Sequence, residues 1–310
     1  MILCFDIGGT TIKIAEAFGP DDIRPTIRVP TPALDFTAFT TVLQAAIDAA
    51  PERPDCLAFS IAGVIDPETG IATVANIPCL SGRRLRSDLE AALGLPVVLG
   101  NDADCFALAE ATIGAGRGHA VVFGIILGTG VGGGIVVRGR LINDSSASGG
   151  GSGGGFTGEW GHGPVAQSIV GDTVLPAFPC GCGQTGCLDA ICSARGMEKL
   201  HLALGGAALA AEDIIAAWQA EEPAASRTIA IWLDLLSGPL AMVQNMLGAG
   251  VIAVGGGLSN AHPLIDALDK AVRGRILQRL SRPLIVQAQC PIEPGLVGAA
   301  VLGLNRKRDG

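Results

Sequence analysis

Residues 2–18, ILCFDIGGTTIKIAEAF, and residues 120–140, AVVFGIILGTGVGGGIVVRGR, are two versions of one pattern. Each is an apolar, β-rich run, then a bend of glycine and threonine, then a second apolar run. Each therefore reads as a strand–turn–strand hairpin. A single hairpin of this kind fits any sheet that turns tightly. Two of them, each opening a half of the chain, predict two related α/β domains facing a cleft.

The segments between and after them agree. A helix is expected near 36–50, a strand at 57–63 (LAFSIAG), a helix at 87–94 (SDLEAALG), a strand at 96–102 (PVVLGND) and a helix at 103–114 (ADCFALAEATIG). Strands alternating with helices imply a mixed or parallel sheet, whose sites collect at the carboxyl ends of its strands. EDIIAAWQAEE and SRTIAIWLDLLSGPLAMVQNML carry apolar residues at helical spacing. VIAVGGGLSN (251–260) is a strand running into a glycine turn, LIVQAQ (284–289) a short strand, and GLVGAAVLGL (295–304) a closing helix. Residues 144–155, DSSASGGGSGGG, have the composition of a flexible linker. The expected domains are a smaller one from 1–117 plus 295–310, and a larger one from 118–294.

Composition removes several classes of function. With 49% hydrophobic and 16% charged residues over 310 positions, the chain can build two packed cores. A net charge of −8 argues against broad binding to nucleic acid or to an anionic membrane. MILCFDIGG has no basic region of a signal peptide, and VVFGIILGTGVGGGIVV is broken by glycines, so neither reads as a targeting or membrane segment. Nine cysteines without a secretory signal favour reduced thiols in the cytosol.

Four places carry chemistry. In DIGGTT (6–11) small residues let backbone N–H groups approach a phosphate, threonine hydroxyls add donors, and Asp6 could organise Mg²⁺ through its water shell. It is not a Walker loop. GTGVGGG (128–134) is its counterpart, so two Gly-Thr turns could meet the phosphates of one nucleotide. In NDAD (101–104), Asp102 has two readings: the N-cap of the helix from 103, or a general base for a hydroxyl attacking a phosphoryl group, with Asn101 orienting the same molecule. Asp104 fits a partner of the helix dipole. GEWGH (158–162) places Glu159 and His162 ahead of Cys180, Cys182 and Cys187. Three thiolates and one imidazole make a closed tetrahedral zinc set; the alternative is a turn with incidental thiols. Cys192 reads as a core residue.

DIGGTT, SIAGVIDPETG, NDADCFALAEA, LGTGVGGGI, GEWGH, CGCGQTGCLD and VGGGLSN occur in that order. Together they resemble the ROK family of bacterial sugar kinases and sugar-responsive repressors over residues 2–304, and within it the N-acetyl-D-glucosamine kinases most. The resemblance implies a two-domain actin-like ATPase (ribonuclease H-like) fold with a cleft between the domains. It implies transfer of phosphate from ATP to the 6-hydroxyl of N-acetyl-D-glucosamine. Glucokinase, mannokinase and N-acetylmannosamine kinase are the alternatives, and a non-catalytic sugar-sensing protein is a more distant one. Asp102 matches the catalytic base. Gly63, Asn76, Asn101, Asp102, Glu159, His162 and Asp189 match the sugar side, and His162, Cys180, Cys182 and Cys187 the structural zinc ligands. Asp6, Gly8, Gly9, Thr10, Thr11, Gly128, Thr129 and Gly130 match the phosphate loops for ATP and Mg²⁺, and Gly255, Gly256 and Gly257 the adenosine side. A small-molecule sugar, a cytoplasmic location, a homodimer, and no nucleic-acid or membrane partner are implied. A repressor of the family needs a helix-turn-helix ahead of DIGGT, which starts here at residue 6. Two departures stand out: Asp189 sits where the family carries glutamate, one methylene shorter, and Thr11 where it carries lysine, with Lys13 two further on.

Overall fold

The computed structural model describes residues 1–74, 76–142, 155–164 and 169–309. The linker expectation for 144–155 falls, except for Gly155, outside the described residues.

The chain begins with the hairpin β1 (Ile2–Ile7) and β2 (Thr11–Gly19), followed by β3 (Asp22–Pro30), α1 (Phe36–Ala49) and β4 (Cys56–Ile61). Two short strands, β5 (Val64–Ile65) and β6 (Ala72–Thr73), precede α2 (Leu85–Leu93), β7 (Val97–Asn101) and α3 (Asp102–Ile113). The second hairpin is β8 (Val121–Leu127) and β9 (Val131–Val137), extended by β10 (Arg140–Leu141). The short strands β11 (Ile169–Val170) and β12 (Thr173–Val174) lead to α4 (Leu188–Cys192), α5 (Ala194–Ala203), α6 (Ala211–Gln219) and α7 (Pro223–Leu247). The chain ends with β13 (Val251–Gly255), α8 (His262–Arg273), β14 (Ile285–Gln287) and α9 (Pro294–Asp309).

The first sheet has the order β3-β2-β1-β4-β7 and the second the order β10-β9-β8-β13-β14. Numbered within its own sheet, each reads 3-2-1-4-5. In the first, β2 runs antiparallel to β1 and β3 while β1, β4 and β7 are parallel. In the second, β8, β13 and β14 are parallel and β10 pairs antiparallel with β9. The repeated hairpin in the sequence is thus the start of a repeated sheet. This is the two-domain, actin-like ATPase fold that the resemblance implied.

The reasons lie in the residues. Every residue of β4 (CLAFSI) is buried, as suits a central parallel strand covered on both faces. Phe5 on β1 stacks on Phe59 of β4 with centroids 4.8 Å apart, a contact worth about 0.5–1.5 kcal/mol beyond its buried area. The edge strand β3 is mostly exposed and carries Pro25 and Pro30, which blunt an open edge. In α3, all residues from Ala103 to Glu110 are buried, so the helix has no polar stripe. It packs against α9, which also lies on β1 and β4.

The chain clusters into two compact units: 1–118 with 134–157 and 289–310, and 119–133 with 158–288. This differs from the expected division chiefly at 134–157. The boundary falls inside β9, because Gly134 lies directly on the α3 backbone at Ala103 and Asp104, closer than a Cβ there would allow. In the second unit α7 is long and apolar enough by length and composition to cross a bilayer. Trp232, Leu236 and Leu240 are fully buried, and Trp232 Nε1 donates to Cys192 O at 2.9 Å, so α7 is a core helix. Cys192 is buried, as its core assignment required.

Candidate functional site

In the first unit the turn at 8–11 is pinned from β3 and the residue after it. Gly8 N–H donates to Thr11 O at 3.0 Å, Thr31 N–H to Thr10 O at 3.0 Å, and Thr31 Oγ1–H to Gly8 O at 2.7 Å. A Cβ at Gly9 would stand 3.1 Å from the Cβ of Asn76, so the structure brings Asn76 against this turn. Asp6, next to last on β1, pairs with Lys13 at 3.2 Å and lies against Gly295 in the first turn of α9. Lys13 also pairs with Glu293 at 2.6 Å, and Arg28 reaches Glu293 at 3.8 Å. Burial pulls the Lys13 ammonium down, but Glu293 and Asp6 outweigh it and the group ends above its ordinary value. Glu293 was missed from the sequence; no local motif marks it.

Asn101 and Asp102 stand at the end of β7 and the start of α3. The N-cap is Asn101, not Asp102: its Oδ1 accepts from Ala103 N at 2.8 Å and Asp104 N at 3.4 Å. Its Nδ2 donates to Gly63 O at 2.9 Å. The capping alternative for Asp102 is therefore corrected. Asp102 is the first helical residue, half-buried, with Oδ1 accepting from Ala103 N at 2.9 Å. Asp104 is in the same first turn, as expected for a dipole partner, but is buried. Further along α3, Glu110 was also missed: its buried carboxylate accepts from Ala115 N at 2.8 Å, Gln289 N at 3.0 Å and Cys290 N at 2.8 Å.

In the second unit, two glycine turns meet. Gly256, with φ +85°, lies against the Leu127 carbonyl, and a Cβ at Gly128 would stand 3.7 Å from the Gly256 Cα. The 128–130 and 255–257 turns are therefore neighbours. Gly128 N–H donates to Gly130 O at 3.0 Å, and Gly128 O accepts from Ala194 N at 2.8 Å. Thr129 is exposed at the tip.

Beside them, residues 160–162 form one short 3₁₀ turn. Trp160 Nε1 donates to Gly132 O at 3.0 Å, and its ring meets Phe123 edge-on at 5.9 Å. Gly161 lies so close to Val131 O that a side chain there would overlap it. Glu159 and His162 thereby flank β9. His162 presents Nδ1 at 3.5 Å from Cys180 Sγ and Nε2 at 3.7 Å from Glu159 Oε2. Burial raises the Glu159 carboxyl above its ordinary value, with Asp189 adding to the rise and His162 opposing it.

The knuckle at 178–187 is closed by Cys180 N to Gln184 O at 2.8 Å and Gly186 N to Phe178 O at 2.8 Å, with left-handed backbone at Gly183 and Gly186. The ligand atoms of His162, Cys180, Cys182 and Cys187 all lie within 4.8 Å of one another. Zn–S bonds of about 2.3 Å and Zn–N bonds of about 2.05 Å give tetrahedral edges of about 3.8 Å and about 3.6 Å. The observed Cys182–Cys187 sulfur separation of 3.7 Å and Cys180–His162 separation of 3.5 Å match both. The donor set fits zinc. The Gln184 N–H pulls the Cys182 thiol down to about 7, whereas burial pushes Cys180 and Cys187 up. A bound cation would reverse the last two.

Asp189, in the first turn of α4, accepts from Val131 N at 2.8 Å through Oδ1 and lies 3.7 Å from Cys180 Sγ through Oδ2. Both carboxylate oxygens thus face the protein's own groups.

The pattern of the ROK family matches residues 2–306. The N-acetyl-D-glucosamine kinase of Histophilus somni is 35% identical over 308 residues, 97% of this chain and 98% of its own. The ROK hexokinase of Thermus thermophilus superposes with a TM-score of 0.83 at 28% identity, covering 100% of this chain and 99% of its own. A ROK family glucokinase from Streptomyces griseus, solved with glucose and AMPPNP, gives 0.70 at 27% identity over 98% and 99%. With its duplicated sheet, its paired glycine turns and a match over nearly its whole length, the chain belongs to the ROK family.

Proposed function

We propose that the protein is an ATP-dependent sugar kinase that phosphorylates the 6-hydroxyl of N-acetyl-D-glucosamine. The observation that carries the reading is Asp102, a half-buried carboxylate at the carboxyl end of a parallel strand, fixed at the helix start by the Asn101 cap. Such a group is placed to take the proton of a hydroxyl as its oxygen attacks the γ-phosphorus. Gly63, tied to Asn101, and Asn76, against the 8–11 turn, would contact the sugar from the first unit. Glu159 and His162 are proposed sugar contacts too.

The turns at 8–11 and 128–130 would take the phosphates, and 255–257 the adenosine side. Most of the acceleration comes from positioning and from offsetting charge on the phosphate oxygens. Mg²⁺ supplies part of that charge when bound with ATP; we assign Asp6 to its water shell, with Lys13 holding the carboxylate in place. Zinc, when bound, would supply a structural crosslink. His162, Cys180, Cys182 and Cys187 would hold it, and the segment bearing Glu159 is thereby fixed to the knuckle. We also propose a cytosolic homodimer, in keeping with nine unbridged cysteines.

The test is release of ADP with glucose, mannose, fructose, N-acetylglucosamine, N-acetylmannosamine and N-acetylgalactosamine. The highest kcat/KM is expected for N-acetylglucosamine. A clear preference for glucose, mannose or N-acetylmannosamine would move the protein to another kinase of the family. Sugar binding without any ADP release would make it a non-catalytic sugar sensor.

A further inference from the structure

We infer that Asp189 is a positioning residue that fastens the 128–130 turn to the zinc knuckle, and does not serve as a sugar contact. The inference rests on the kinase reading for its kinetic part and on the hydrogen-bond geometry alone for the rest.

Val131 directly follows the turn, and its N–H is taken by Asp189 Oδ1 at 2.8 Å. A Cβ at Gly130 would stand 2.7 Å from the same oxygen, so the carboxylate lies flat against the turn's last residue. Oδ2 faces Cys180 Sγ at 3.7 Å, one of the four candidate metal ligands. The other end of the turn is held from the same stretch of chain, because Ala194 N–H donates to Gly128 O at 2.8 Å. Residues 189–194 therefore grip both ends of the turn, one by a side chain and one by the backbone.

Val131 is held on its other side as well, since its carbonyl lies against Gly161 between Glu159 and His162. The knuckle is joined to that same segment by Leu188 N to Gly163 O at 3.0 Å. Asp189 lies two residues beyond the candidate ligand Cys187, so a carboxylate that accepts from Val131 N–H ties that amide to the metal-held loop. A zinc-bound Cys180 is a thiolate with no proton to give, and the Oδ2 contact adds no hydrogen bond there. The length of the side chain is matched to the job. Glutamate would push the carboxylate about 1.5 Å further along, into a turn that already leaves no room for a methyl group. Aspartate at 189 and glycine at 130 form one fitted pair.

The experiment compares Asp189→Asn, Asp189→Ala and Asp189→Glu in the zinc-loaded full chain, with three readouts: deuterium exchange at the Val131 amide, zinc per chain, and KM for ATP and for the sugar. Asparagine keeps the acceptor oxygen and is expected to keep Val131 protected and ATP KM near the parent value. Alanine and glutamate are expected to lose that protection and to raise ATP KM about tenfold, with sugar KM changed less than twofold. Unchanged Val131 exchange in Asp189→Ala would overturn the inference. So would a rise in sugar KM with ATP KM unchanged, or an Asp189→Glu protein that binds sugar better than the parent. If no sugar is turned over by the parent chain, the kinase reading fails, and the exchange arm still decides whether Asp189 holds the turn.

Discussion

The side-chain amide of Asn101 joins two loops at once: it donates to Gly63 O at 2.9 Å while its oxygen caps α3 at Ala103 N. Asp102, the next residue, inherits its position from that cap. Asn101→Ala should cost about 1 kcal/mol from the lost cap and lower kcat more than it raises either KM. Asn101→Asp keeps the cap acceptor but cannot donate to Gly63, so it should recover most of the stability and little of the rate. Thermal unfolding and steady-state kinetics on both variants separate the two roles.

Asp102→Asn should lower kcat by about 10²–10⁴-fold while leaving sugar and nucleotide binding within a few-fold of the parent. Calorimetric titration beside the ADP assay checks this. Near-normal turnover would remove Asp102 from the chemistry.

Stripping metal with a chelator should expose one fast-reacting thiol. Cys182 is exposed and its thiol sits at about 7, so its alkylation rate should climb through that pH as thiolate forms and then level off. Zinc should suppress the reaction. Cys4 and Cys105, buried and raised well above their ordinary range, should stay unreacted in the native protein. Mass spectrometry of alkylated peptides reads the outcome.

Glu110→Ala should destabilise the protein by about 3 kcal/mol, since it removes a buried carboxylate that accepts from the N–H groups of Ala115, Gln289 and Cys290 at once. A lower denaturant midpoint with an unchanged slope would bear this out. A loss below 1 kcal/mol would mean water replaces the carboxylate.

The repeated hairpins were legible because apolar period, glycine and threonine all pointed one way, and both became the first two strands of a sheet. The helices expected at 103–114 and 295–304 appeared as α3 and α9, the latter running five residues further, to Asp309, through a basic last turn. At 101–102 the cap was displaced by one residue, since asparagine and aspartate are equally good caps and only the hydrogen bonds separate them. The four zinc-type ligands could be gathered from residue type and family pattern. The direction of Asp189 could not, because it is set by a contact with Gly130 and Val131 almost sixty positions away. The Lys13–Glu293 pair is hidden for the same reason on a larger scale.

The packing of α9 on α3, β1 and β4 also has a bearing on how the protein is born. The first unit is drawn from three stretches, of which 289–310 leaves the ribosome last. α1 and α2 already cover one face of the first sheet, but until then the face of β1 and β4 that α9 covers has no lid, and the N-terminal half must wait, partly sticky, while the whole second unit is synthesised. A nascent chain stalled before residue 294 should accordingly be a client for chaperones, and loss of α9 should be felt first as poor yield and only then as poor activity.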